Sequence, residues 1–118
     1  MNQSDCRWST ILATIIYTGL ELVPTIIQAA NKTAHIAVKD TIKNPDDGYQ
    51  FKLPGSTGVI DFATLIKTMY QSGYRGDISC EVSSMLWREP GYEPRRAIRT
   101  CYTNMSKAFR ESGVKRPL

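Results

Sequence analysis

The stretch Asp77-Ile78-Ser79-Cys80-Glu81-Val82-Ser83-Ser84 constrains this chain more than any other, because its character alternates residue by residue. Ile78, Cys80 and Val82 fall on one side and Ser79, Glu81 and Ser83 on the other, the period of two that a β-strand imposes. Gly73 and Gly76 precede the run, a Pro90-Gly91 turn lies beyond it, and an amphipathic segment stands before and after. This pattern predicts a strand between two helices, with the apolar side beneath the helices and Glu81 on the opposite side. A carboxylate placed there is costly unless it is paired or ligates a metal.

Thr33 to Asp40 has the same design: Ala34, Ile36 and Val38 form an apolar side, and Thr33, His35, Ala37 and Lys39 share the other. Asn44-Pro45-Asp46-Asp47-Gly48 and Pro54-Gly55-Ser56-Thr57-Gly58 carry turn chemistry, and together they are expected to form one long loop after this strand. Asp61 is placed to cap a helix whose apolar positions Phe62, Leu65, Ile66 and Met69 follow helical spacing, and Gly73 is placed to end it. A strand, a crossover helix and a second strand make the two strands parallel, and the loop then opens at their C-terminal edge. A last helix is expected from Pro94 to about Ser112, with Gly113 as its stop and Ile98, Cys101, Tyr102, Met105 and Phe109 as its core stripe. Arg95, Arg96, Arg99, Lys107 and Arg110 fall off that stripe. Upstream, Ile11 to Tyr17 favours a buried strand, although so short an apolar run also fits a helix. Pro24 suits the first turn of a short helix to about Ala30, with Ile26 and Ile27 available for packing.

With 118 residues, 42% of them hydrophobic, the chain has the size and composition of one globular domain. Its charge of +4 is local: from Arg88 to Leu118 eight Lys or Arg face three Glu, and the remainder is nearly balanced. A solvated helix face explains this segment better than a nucleic-acid patch, because no aromatic residues interleave with the charges. Cys6, Cys80 and Cys101 have no CxxC spacing and cannot all pair within one chain, which points to a reduced, cytoplasmic setting. The apolar run Ile11 to Leu22 is interrupted by Thr14, Thr18, Gly19 and Glu21, so no membrane insertion is expected.

The ordered series His35-Ile36-Ala37-Val38-Lys39-Asp40-Thr41, Leu53-Pro54-Gly55, Ile60-Asp61-Phe62, Gly73-Tyr74-Arg75-Gly76 and Glu81-Val82-Ser83, with Pro90-Gly91-Tyr92-Glu93-Pro94 before the last helix, resembles the C-terminal part of the xylose isomerase-like TIM-barrel family of sugar-phosphate isomerases and epimerases. The resemblance runs from about Thr33 to Val114. It leaves residues 1–32 as a poorly matched segment with a short helix and 115–118 as a tail. It implies an α/β fold: a partial (β/α)8 barrel holding about the last two βα units and a preceding helix. It also implies a divalent metal (manganese, magnesium, cobalt or zinc), a sugar or sugar phosphate ligand, and proton transfer through an enediolate. On the resemblance Glu81 matches the last-strand glutamate, metal ligand and proton carrier, while Lys39 is a substrate contact. Ala37 stands where many relatives have the ligating histidine, leaving His35 as the metal-binding candidate. Read from the residues alone, His35 is equally an interior histidine, Lys39 and Asp40 an ion pair or loop cap, and Glu81 the partner of Lys39. A whole barrel takes about 250 residues, so the expected function is that of a fragment, inactive alone. Alternatives are an active enzyme rebuilt by self-association through open sheet edges, a non-catalytic binding module, and an apurinic-endonuclease-like relative. The last is disfavoured by the single histidine.

Overall fold

The computed structural model describes residues 8–11, 21–46 and 48–116. Its central strand is β2, Thr33–Val38, which is flanked on one side by β1, Trp8–Ile11, and on the other by β5, Ile78–Cys80. Both pairings are parallel, with Ile36 opposite Ile78 and Ala37 opposite Ser79 on the β5 side. The expected parallel neighbours are therefore present, and a third parallel strand joins them at Trp8–Ile11. That strand precedes the expected one. Ile11 falls in both, and the rest of the expected run, residues 12–17, lies outside the described residues.

Helix α1, Leu22–Ala29, carries Pro24 in its first turn, where the missing N–H has no intrahelical partner to lose. It buries Ile26, but Ile27 is exposed rather than packed, since a single helical stripe reaches the core. A 3-10 turn, Ala30–Lys32, leads into β2. After β2 comes the clearest departure from the sequence reading. In place of a long loop, β3, Asp40–Asn44, and β4, Gly48–Lys52, form an antiparallel hairpin, a separate two-stranded sheet. The Asn44-to-Gly48 turn chemistry is the bend of that hairpin, and only residues 53–61 remain irregular.

Helix α2, Phe62–Gln71, is the element the sequence specifies best. Asp61 accepts hydrogen bonds from Thr64 N (3.0 Å) and Thr64 Oγ1 (2.7 Å), capping the first turn. Phe62, Leu65, Ile66 and Met69 are all buried, a gain of about 2 kcal/mol per large side chain against leaving it exposed. Past the helix, Gly73 N bonds Tyr70 O and Tyr74 N bonds Met69 O, and the buried Tyr74 donates its hydroxyl to Asp77 O at the foot of β5. Gly76 is needed in this corner, because a Cβ there would meet the Tyr74 hydroxyl at 2.5 Å.

β5 is shorter than the alternation suggests. Ser83 leaves the strand to cap a one-turn helix, α3, Ser84–Trp87, accepting from Met85 N at 3.3 Å. The last helix, α4, Pro94–Ser112, begins and ends where expected: the Glu93 carboxylate accepts from Arg95 N (3.1 Å) and Arg96 N (2.7 Å), and Gly113 closes it. Its stripe is rotated, however. Ala97, Cys101, Met105, Ser106 and Ala108 are buried, whereas Ile98 and Tyr102 are 69% and 65% exposed. The expected basic residues Arg95, Arg96, Arg99, Lys107 and Arg110 are exposed. α2 and α4 pack on each other, and with Ile36, Val38 and Ile26 they form one core on a single face of the parallel sheet. The molecule is thus a small mixed α/β domain with two small sheets. Among the described residues no helix is long and apolar enough to cross a membrane.

Candidate functional site at the strand ends

Alternation along β2 sends Ile36 and Val38, both fully buried, into the helix-side core. His35, Ala37 and Lys39 belong to the other face, and all three are partly exposed. On β5 the half-buried Ile78 packs against the same core, while Ser79 is exposed on the opposite side. The ladder continues one step past the strand, where Glu81 N bonds Val38 O at 2.9 Å. Lys39 and Glu81 thereby become cross-strand neighbours at the C-terminal ends of two parallel strands, and Lys39 Nζ lies 3.1 Å from Glu81 Oε1.

The surroundings of this pair come from the hairpin. The Phe51 ring centroid is 4.8 Å from Lys39 Nζ, a cation–π contact. Lys39 is the more enclosed partner, its side chain 18% exposed against 40% for Glu81. A half-open ion pair of this kind holds Glu81 close to an ammonium that can donate to an anionic oxygen, with one edge left to solvent.

Asp40 has a different task. It is wholly buried, and its carboxylate accepts from Thr41 N (2.9 Å), Thr57 Oγ1 (2.7 Å) and Thr57 N (3.1 Å). These bonds fasten the Pro54-to-Gly58 loop to the start of β3, the loop-cap role that the sequence left open for this residue. Asn104 of α4 secures the same loop from the other side by donating to Pro54 O at 3.1 Å. Sequence reasoning did not single out Phe51, Thr57 or Asn104. Phe51 was legible from the alternation of Tyr49 and Phe51 around Gln50; the other two carry no signal of their own.

His35 is not brought to the pair. The register that sets Ile36 beside Ile78 places His35 beside Asp77, four residues before Glu81. At about 3.3 Å per residue that is roughly 13 Å along the strands. Ala37, which lies between, has no donor atom, and among the described residues no group of three or more His, Cys, Asp or Glu is arranged to hold a metal ion. The site therefore does not unite the two candidate metal ligands, His35 and Glu81.

On the opposite, helix-facing side Cys80 meets Cys101 of α4 thiol to thiol. Cys80 is exposed as a residue, but desolvation of its sulfur against α4, reinforced by the neighbouring thiol, pushes it up to about 12. Burial also raises Cys101. Compared with known proteins, the chain matches no family model and no curated protein.

Proposed function

We propose that this chain is the C-terminal portion of a xylose isomerase-like (β/α)8 barrel, a sugar or sugar-phosphate isomerase or epimerase fragment of the cytoplasm that is inactive by itself. The observation that carries this reading is the Lys39–Glu81 pair at the C-terminal ends of parallel β2 and β5, on the face away from α2 and α4. That is the edge at which parallel α/β folds assemble their chemistry. In such a barrel Lys39 would hold an anionic sugar oxygen or phosphate, and the Glu81 carboxylate would exchange a proton with the carbon beside the carbonyl.

The family's divalent metal does not fit the residues present. Glu81 is engaged by Lys39, His35 stands about 13 Å away along the strands, and the described residues supply no third ligand nearby. No step through a metal is assigned to this chain. A second reading, an enzyme rebuilt by self-association or by a companion chain, draws on the edges of β1 and β5, which are unpaired among the described residues and where further strands would bring the missing acids.

The test is exchange of a sugar's α-proton with solvent deuterium by the purified protein, with manganese or magnesium, beside a Glu81→Gln sample. No exchange above background is expected. Metal-dependent exchange that disappears in Glu81→Gln would replace the inactive fragment with the rebuilt enzyme.

A further inference from the structure

Among the described residues one edge of the parallel sheet is unpartnered, and a groove lies beside it. β5 ends the strand order, and its Asp77 O and Glu81 N are already bonded to β2. By the alternation of a parallel ladder the N–H and C=O groups of Ile78 and Cys80 point outward from the sheet. Beside this edge runs a groove of about 850 Å³ between β5, α2 and α4, floored by Met69, Ile78, Met105 and Phe109. Tyr102 lines it, and Ile98, one turn earlier on the same helix, is exposed as well.

The groove is also lined by cations. Arg75, just before β5, lines it together with Lys115 and Arg116, which follow α4. None of these three forms an ion pair among the described residues, where the pairs are Lys39–Glu81 and Lys107–Glu111. Arg75 instead donates to Tyr70 O and Tyr74 O, and Arg116 lies over the Tyr102 and Phe109 rings. Against them stands one acid of the lining, Asp77. A second copy of this chain carries a net charge of +4 and so adds repulsion to these cations rather than a complement.

We infer that the β5 edge and its groove bind an acidic polypeptide segment that adds as a strand. Its alternate apolar side chains enter the groove beside Tyr102, and its carboxylates lie beside Arg75, Lys115 and Arg116. Main-chain hydrogen bonds to Ile78 and Cys80 supply the docking, the apolar positions the burial, and the charges the selection of partner. This inference rests on the edge, the groove and the charges, and stands whether or not the barrel reading holds.

The probes are ten-residue peptides of alternating Val and Thr carrying three Glu, or three Lys, at either terminus, tested by fluorescence anisotropy against the full chain. One of the two Glu peptides is expected to bind about tenfold more tightly than its Lys counterpart, equivalent to about 1.4 kcal/mol. Added salt and the Lys115→Gln/Arg116→Gln variant, which leaves the sequence of α4 and of the sheet edge unchanged, should shrink that difference. N-methylation of alternate peptide amides should abolish binding, and hydrogen exchange should slow at Ile78 and Cys80 when the Glu peptide is present. Equal binding of Glu and Lys peptides, no binding of either, or undiminished binding of the N-methylated peptide would overturn the proposal. So would sedimentation showing a dimer with Ile78 and Cys80 already protected, which would assign the edge to a second copy.

Discussion

Two aspartates illustrate how differently one residue type can act. Asp40 is fully buried with three hydrogen bonds, so Asp40→Ala leaves Thr57 N, Thr57 Oγ1 and Thr41 N without their acceptor. We expect a loss of about 3 kcal/mol, read as a lower urea midpoint at unchanged slope; a loss under about 1 kcal/mol would mean that the loop does not depend on this anchor. Asp61 is an exposed helix cap whose carboxyl is held below its ordinary value by the Thr64 backbone N–H first and the Thr64 hydroxyl second. Its pKa is depressed in the folded state, so its stabilisation is present above the unfolded value of 3.8 and is lost as pH falls through the folded one. Asp61→Ala should cost about 1 kcal/mol near neutrality and nothing once the pH is low enough to protonate the wild-type carboxyl. Equal costs at both pH values would show that the cap is not electrostatic. Glu81→Gln, by contrast, should change stability by less than about 1 kcal/mol, because an ion pair with one partner 40% exposed is largely screened. Asp61 was readable in the sequence, since a cap sits at a fixed offset from an amphipathic run. The acceptors around Asp40 were not, because Thr57 reaches it only through a loop whose path no local pattern encodes.

Among the elements, α2 and the two ends of α4 were legible because caps, Gly stops and helical spacing agree there. The face that α4 buries was not. Its expected stripe followed the large apolar residues, whereas the structure buries the smaller Ala97, Ser106 and Ala108 and leaves Ile98 and Tyr102 outside. Close approach favours small side chains, and hydrophobicity alone does not rank them. The hairpin is hard to read for a related reason: Thr41-Ile42-Lys43 and Tyr49-Gln50-Phe51 each alternate, but over too few residues to set two short strands apart from the turn-rich segments around them. Joining these elements is the Pro54–Gly55 corner. Gly55 has φ +82°, and a Cβ there would stand 2.6 Å from Asn104 Cβ. Gly55→Ala should therefore cost about 2 kcal/mol or more, from left-handed strain and from displacing α4. A melting temperature within 1 °C of wild type, on the scale of about 4–8 °C per kcal/mol for a domain of this size, would show that the corner yields.

For the whole molecule, the parallel sheet has one strand bonded on both sides. Amide exchange should be slowest in β2 and faster in β5, whose outer edge has no strand partner among the described residues, with the β3–β4 hairpin opening independently as a separate sheet. Uniform protection across β2, β5 and the hairpin would mean that the two sheets open only together. The overall plan of parallel strands crossing over through α2 was visible in the sequence because both strands alternate and the helix between them is capped. The third parallel strand escaped notice because Trp8-Ser9-Thr10-Ile11 is too short and too polar to stand out, and its pairing with β2 is a long-range contact. The position of α4 bears on how the chain is made. A ribosome delivers Ile36, Leu65 and Met69 well before Met105 and Ala108, the residues that close over them. Until those last turns emerge, the nascent polypeptide carries a greasy, half-roofed layer that a chaperone can grip and a neighbouring chain can stick to.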